Sequence, residues 1–428
     1  MKNIFKHEKL QSKMGKDIAW NMASMIFVAI AGLVYNTIFV VFYTADVFGL
    51  YNQALVYFLI FSQIAVFGIH FSVLKYAAEY SEEEEKRNQL FSTAILSTLI
   101  TSVLTVGLIY GLARLYILWL GPSVVVNMLI YSLPALVFFA LNKVILNYLN
   151  AIRAMRAFAV FQSLRYVLIV LTLLVFGFLN AKTEILMLIY AISEFLLFVT
   201  MVIYVASMKL VHLRFNLEWI KEHIAFGSKV FLGSVVVDLN AKMDIVVLGL
   251  FVSDAIVGFY SFAIMFADGF YQILVVLRRN INPLITQYTK DNMPSFHQMK
   301  NSWRKRMRVF SPVLAAMVLL GYWALCVVLG RQEYLAAILP FAIVLFGKSF
   351  NGYYIVMGNL MNQTGNPKQE TWLNILTIGS NTLLNFLLIP HFGMNGAAVA
   401  TAVSFFVFRF VLHSMAKNRL NINLLLHE

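Results

Sequence analysis

Charge is what this chain has least of. Only 12% of its 428 residues are Asp, Glu, Lys or Arg, about half the share of an ordinary soluble domain. By contrast 61% are hydrophobic, and the mean hydropathy is +0.78. This excludes a water-soluble globular enzyme and leaves a protein that crosses a bilayer many times. Cysteine is nearly absent too: Cys326 stands alone in an apolar run, which excludes an internal disulfide and a cysteine metal cluster. Between the apolar runs no polar stretch is long enough to fold as a soluble domain, so the helices themselves must carry the activity.

Acids are the scarcer charge, with 20 Asp and Glu against 33 Lys and Arg and a formal net charge of +13. In a membrane protein such a surplus is read by location, and it points to membrane phosphates or an anionic lipid-linked substrate rather than to nucleic acid. Runs of about 20 apolar residues mark about twelve spans: 18–42, 47–70, 88–111, 123–149, 155–179, 183–207, 224–252, 255–281, 309–329, 334–361, 371–390 and 393–416. The expected organisation is a basic tail at 1–17, a first lobe at 18–207, an amphipathic linker at 208–223, a second lobe at 224–417 and a tail at 418–428. Lys75, Lys86, Arg87, Arg153, Arg156, Lys209, Arg214, Lys300, Arg304, Lys305, Arg306 and Arg308 share one side with both tails, whereas the other side holds only Arg114, Lys182 and Arg331. That bias predicts cytoplasmic termini.

The spans 224–252 and 255–281 read as a hairpin turning at Val252-Ser253-Asp254, with charge inside it: Lys229, Asp238, Lys242 and Asp244, then Asp268, Arg278 and Arg279. Ionisable residues at membrane depth usually face a bundle interior or a polar path. Asp268, Gln272, Val275, Arg279, Asn282 and Thr286 recur at three and four residues, which makes one polar stripe on one helix face. Asp238 and Lys242 lie one turn apart, close enough to neutralise each other.

An internal repeat opens the second and eighth spans, Gly49-x-Tyr51-x-x-Ala54 and Gly258-x-Tyr260-x-x-Ala263, each directly after a short turn. The copies open spans that are six apart in order, an even offset, so the halves are parallel repeats of about six helices each. The fold class is therefore an all-α polytopic membrane protein.

The order of motifs resembles the polysaccharide flippases of the multidrug/oligosaccharidyl-lipid/polysaccharide exporter superfamily, the O-antigen and teichoic-acid exporters. The resemblance rests on Phe48-Gly49-x-Tyr51 with Gly68-Ile69, on Asp244 to Gly249 running into Val257-Gly258-Phe259-Tyr260, and on Pro283 closing the eighth span. It continues through Gly365-Asn366-Pro367, Asn385 to Pro390, and Gly393 to Thr401. It implies two six-helix lobes in a V around a central cavity, and translocation of an undecaprenyl-diphosphate-linked oligosaccharide, such as an O-antigen unit, to the outer leaflet of the bacterial cytoplasmic membrane. Polysaccharide polymerase and glycosyltransferase neighbours are implied with it, and no cofactor. Where many relatives carry a basic residue at the end of the first span this chain has Val41-Phe42-Tyr43, so no substrate contact carries over there.

For such a substrate Arg165, Arg278 and Arg279 would receive the diphosphate, with snorkelling to headgroups as the plainer role and the one favoured for Lys143 and Arg409. Gln272, Lys348, Asn374, Asn381 and Asn385 would meet sugar hydroxyls, or serve as interhelical glue. The deep acids Glu194, Asp238 and Asp268 would couple transport to protons or sodium, or sit in fixed ion pairs such as Asp268 with Lys348. The rival with the same fold is a multidrug or lipid II exporter. A membrane glycosyltransferase would need a larger outside loop than Tyr43-Thr44-Ala45-Asp46 provides.

Overall fold

A computed structural model describes residues 2–207, 214–240 and 242–425, without the side chains of 2–18, 232, 234, 236–240 and 291. Every regular element among these residues is helical. Contacts divide the chain into two compact units, 1–43 with 50–241, and 44–49 with 242–428.

The first unit holds α1 (Lys2–Phe42), most of α2 (Ala45–Val66), α3 (Ile69–Glu79), α4 (Glu84–Leu120), α5 (Val124–Ala151), α6 (Met155–Phe178), α7 (Leu188–Ser207) and α8 (Leu217–Asn240). Its core is Val73, Leu90, Phe91, Val144, Tyr148, Leu149, Phe161, Leu197 and Met201, drawn from α3 to α7. Leu104, Leu108, Leu112 and Leu115 of α4 share an exposed stripe at three- and four-residue spacing, the face a membrane helix turns to lipid. The second span is not one helix. Phe67 and Gly68 both have left-handed φ, 48° and 72°, and separate α2 from α3. A Cβ on Gly68 would lie 2.8 Å from the Gly227 carbonyl oxygen, and one on Gly227 would overlap the Phe67 carbonyl, so this junction seats directly on the α8 backbone. The expected lobe boundary at 208–223 differs from the division of contacts after Ala241, because α8 packs on α3 and α4. The residues 208–213 of that linker lie outside the described ones.

The second unit contains α9 (Met243–Phe251), α10 (Asp254–Asp291), α11 (Met293–Val328), α12 (Ile338–Phe350), α13 (Gly352–Val356), α14 (Leu360–Gln363) and α15 (Pro367–Leu420). The seventh span is therefore broken between Asn240 and Met243. Pro283 does not end the eighth span: α10 continues through it to Asp291, since a proline inside a membrane helix forfeits one backbone bond that neighbours re-satisfy. The basic stretch before 309 is likewise helical, starting where the Asn292 side chain accepts from the Ser295 amide at 3.0 Å. α15 is 54 residues long, about 80 Å if straight. It bends at Gly393 (φ 53°, ψ −132°), and the Asn381 amide reaches Thr401 Oγ1 at 3.4 Å, so its two arms fold back on each other as the expected last two spans. Ten helices among the described residues are long and apolar enough to cross a membrane, counting α15 once and α8 not at all.

The repeat has a structural counterpart. A Cβ on Gly49 would overlap the Asp254 carbonyl oxygen, and one on Gly258 would overlap the Ala45 carbonyl oxygen. Ala45 and Asp254 are the first residues of α2 and α10, so the two helix starts interlock reciprocally through their glycines. The relation extends inward. The Tyr35 and Tyr51 hydroxyls share a hydrogen bond in the first unit, and Tyr260 donates to Asp244 Oδ2 at 2.9 Å in the second, both pairs 16 residues apart.

Candidate functional site

In the first unit the deep charges form a closed group. Arg165 of α6 lies with Nε 2.8 Å from Glu194 Oε1 of α7 and donates from Nη2 to Oε2 at 3.2 Å. Its guanidinium also stands 4.9 Å over the Phe139 ring. The Asn142 amide of α5 donates to Glu194 Oε2 and to its backbone carbonyl, both at 2.8 Å. The Glu194 side chain is 0% exposed and that of Arg165 15%. Three helices thus converge on one carboxylate whose charge is balanced and hydrogen-bonded, the condition under which a buried ion persists. Lys143, one residue along α5 from Asn142, donates to Gln63 Oε1 of α2 at 2.9 Å, an interhelical bond rather than a headgroup contact.

The second unit gathers its charge differently. Asp268 of α10 is bracketed by two ammonium groups: Lys348 Nζ of α12 at 3.0 Å from Oδ1, and Lys242 Nζ at 3.4 Å from Oδ2. Lys348 is 5% exposed, gives a further bond to the Ala267 carbonyl at 3.1 Å, and lies over the Tyr271 and Phe405 rings at 5.5 and 5.9 Å. Asp268 is 42% exposed and Lys242 33%. Two cations share one carboxylate whose side chain is partly exposed, unlike the sealed Glu194. Lys242 holds this position because it caps α9 at the break in the seventh span. The expected Asp268 and Lys348 pair is therefore present, whereas Lys242 pairs with Asp268; Asp238, its expected partner one turn away, lies outside the described residues.

Beside this group, Asp244 is buried and satisfied by the Tyr260 hydroxyl and by the Ile245 amide at 2.9 Å. The Tyr260 hydroxyl also interacts with Thr401. Asn381 and Asn385 are buried in the first arm of α15, and Asn385 donates to Asn381 Oδ1 at 3.1 Å. Of the remaining residues read as polar contacts, Asn374 and Gln272 are exposed, as is Arg279. Arg278 is half-buried, its Nη1 3.0 Å from where a Cβ of Gly358 would stand between α13 and α14. Arg409 stacks on Tyr354 and Phe350 at 4.9 and 5.2 Å instead of snorkelling alone.

Lys242, Asp244 and Tyr260 were not among the residues read as a site. The signal that finds Asp244 and Tyr260 is the repeat: the shared spacing that pairs Tyr35 with Tyr51 also pairs Asp244 with Tyr260, and nothing in it points to Lys242.

A profile of the family described as "Polysaccharide biosynthesis protein" matches residues 14–287. The chain is 26% identical over 175 residues to the probable low-salt glycan biosynthesis flippase Agl15 of Haloferax volcanii, covering 40% of this chain and 36% of that one. It is 30% identical over 92 residues to an uncharacterised membrane protein of Methanocaldococcus jannaschii, covering 21% and 18%. Both alignments thus span well under two thirds of the relatives' lengths. Among solved structures, the lipid II flippase MurJ in an inward closed conformation superposes with a TM-score of 0.71 at 16% identity, covering 94% of this chain and 88% of that one. The MATE multidrug transporter DinF-BH gives 0.62 at 21% identity and 95% of each chain. These likenesses fix the fold, that of the multidrug/oligosaccharidyl-lipid/polysaccharide exporters.

Proposed function

Because the chain belongs to the polysaccharide biosynthesis protein family, we propose that it flips an undecaprenyl-diphosphate-linked oligosaccharide from the inner to the outer leaflet of the bacterial cytoplasmic membrane by alternating access. The charge bias supports cytoplasmic termini. The name of the Haloferax relative, a glycan biosynthesis flippase, supports a lipid-linked glycan as cargo.

The observation that carries the reading is the Lys242, Asp268 and Lys348 group, in which two lysines share one partly exposed carboxylate on membrane helices. A diphosphate crossing a hydrocarbon core needs a charge-assisted partner that it can also leave. Two lysines that share one aspartate offer that: the carboxylate holds them when the site is empty, and the phosphate competes for them when it arrives. Arg278 and Arg279 supply cations further along the same helix, and the exposed Gln272 and Asn374 supply amides for hydroxyls, whereas Asn381 and Asn385 are buried and bonded to each other. Arg165 keeps its proposed role toward the diphosphate only if it leaves Glu194, which occupies its guanidinium. Asp268 is the coupling carboxylate of this reading, a partly exposed anion for which sodium or a proton would have to compete with Lys242 and Lys348, whereas Glu194 is sealed by Asn142 and Arg165. Asp238 keeps its proposed coupling role. A polysaccharide polymerase and glycosyltransferases acting on the same lipid are the expected partners.

The test is transfer of a fluorescent undecaprenyl-diphosphate oligosaccharide across liposomes that contain the protein. Transfer that depends on the protein, and falls about tenfold or more in Asp268→Asn with the variant still folded in the membrane, is the expected result; about 1.4 kcal/mol of lost stabilisation gives that factor. Absence of transfer for several sugars together with export of cationic dyes would replace this reading with a multidrug exporter, and transfer of lipid II alone with a peptidoglycan-precursor flippase.

A further inference from the structure

A groove of about 550 Å³ runs between α10 and the first half of α11, lined by Leu277, Trp303, Arg306, Met307, Phe310 and Val313 together with Val309. Its size falls inside the range of about 300–1,000 Å³ seen for small-molecule sites. Positions 303, 306, 307, 310 and 313 recur at three and four residues, so one face of α11 forms most of the wall. The lining surface is apolar throughout, Arg306 contributing its aliphatic stem.

Charge is concentrated at one end. Lys300, Arg304, Lys305, Arg306 and Arg308 precede the apolar run from Val309, and no Asp or Glu occurs from Asn292 to Gln332. Lys305, Arg306 and Arg308 are exposed. The Arg306 guanidinium lies 5.9 Å from the centre of the Trp303 ring, within the roughly 6 Å reach of a cation–π contact, which holds it at the head of the groove. Lys300 points elsewhere, donating to the Asn423 carbonyl at 2.8 Å.

We propose that this groove is a binding site for one anionic glycerophospholipid. An acyl chain lies along Met307, Phe310, Val313 and Leu277, and the phosphate meets the Arg306 guanidinium at the head of the groove, while Lys305 and Arg308, on the opposite face of α11, add only to the local positive potential. The occupant follows from complementarity: an apolar channel with its cations at one end fits an amphiphile with an anionic head and a hydrocarbon tail. Neutral lipid would leave the acid-free basic segment uncompensated. The charge bias that places this end of α11 in the cytoplasm makes it an inner-leaflet site.

Trp303 provides the readout. The full-length protein is reconstituted in vesicles of phosphatidylcholine with a small fraction of phosphatidylglycerol, the bromine-labelled chains placed on one lipid or the other. The Trp303 signal is taken as the difference between the natural chain and Trp303→Phe, because the chain has 6 tryptophans. Brominated phosphatidylglycerol should quench that signal several-fold more than brominated phosphatidylcholine at equal content, and salt should weaken the preference. Arg306→Gln should reduce the preference about fivefold, the factor expected per surface cation. Val313→Phe, which narrows the channel without touching charge, should reduce quenching by the anionic lipid while leaving the protein folded. Equal quenching by the two lipids would show ordinary boundary lipid and overturn the proposal. Displacement of brominated phosphatidylglycerol by stoichiometric undecaprenyl diphosphate would also overturn it, by giving the groove to the isoprenoid carrier.

Discussion

Alanine at Gly258 forces apart the first turns of α2 and α10. A Cβ there would lie 2.9 Å from the Ala45 carbonyl carbon and 3.2 Å from the Gly49 amide nitrogen, besides overlapping the Ala45 oxygen. Alanine at Gly49 meets the same wall from the other side, 2.8 Å from the Asp254 carbonyl carbon and 2.9 Å from the Gly258 nitrogen. Carbon atoms pack at about 3.5–4.0 Å, so either substitution requires the two helix starts to separate by about 1 Å. The obstacle is backbone on both sides, which no rotamer change relieves. Overpacking of this kind costs about 1–3 kcal/mol. One displacement makes room for both methyl groups, so the double variant should cost little more than the worse single variant. The cycle should therefore show a coupling of about 1 kcal/mol or more, where independent sites add to within about 0.5 kcal/mol. The assay is unfolding of the purified protein in detergent, followed by helicity and by retention of monodisperse protein on heating. Additive losses would refute the reciprocal contact, and unchanged stability in either single variant would refute the close approach itself.

The Arg165 and Glu194 pair gives a second cycle: Glu194→Gln or Arg165→Met alone should cost about 3–5 kcal/mol by stranding a charge, and Arg165→Met with Glu194→Met much less; equal losses in singles and double would mean the pair is solvated. His223, fully buried at the start of α8, is set between the Ser72 hydroxyl at 2.8 Å from Nδ1 and the Leu90 carbonyl at 3.1 Å from Nε2. Burial pushes its pKa down from 6.5 to about 4, against the opposing pulls of the Leu90 carbonyl and Glu222. The unfolded chain therefore binds the proton more readily between those values. Stability from this site is complete above pH 6.5 and falls as pH drops toward 4, by about 3 kcal/mol in all at 1.36 kcal/mol per pH unit. His223→Gln should flatten that part of the pH–stability profile, and a profile unchanged by the substitution would show that the imidazole is not what titrates.

Sequence alone determined whatever depends on order along one helix. Hydropathy found the spans, because about 20 apolar residues in a row have few other uses. Periodicity put Asn381 and Asn385 on one face, where the structure bonds them to each other. The repeat placed Gly49 and Gly258 as equivalents before any contact between them was visible. Even the link of Asp268 to Lys348 was open to inference, since two opposite charges at membrane depth need partners. Tertiary structure decided which charges on different helices meet and where helices stop. The Lys242 ammonium lies on Asp268 of another helix, at the break before Met243 where Lys242 caps α9, a contact that spacing along one helix does not encode. Glu194 has Arg165 and Asn142 because α5, α6 and α7 converge at that depth, and spacing along any one of them does not encode it. Pro283, expected to end the eighth span, is an interior residue, whereas Gly68-Ile69, expected to close the second span, marks a break after which a further helix follows. In each case the outcome rests on a neighbouring helix: a proline is tolerated where packing re-satisfies the backbone, and a break is held where another glycine, Gly227, lets two backbones touch.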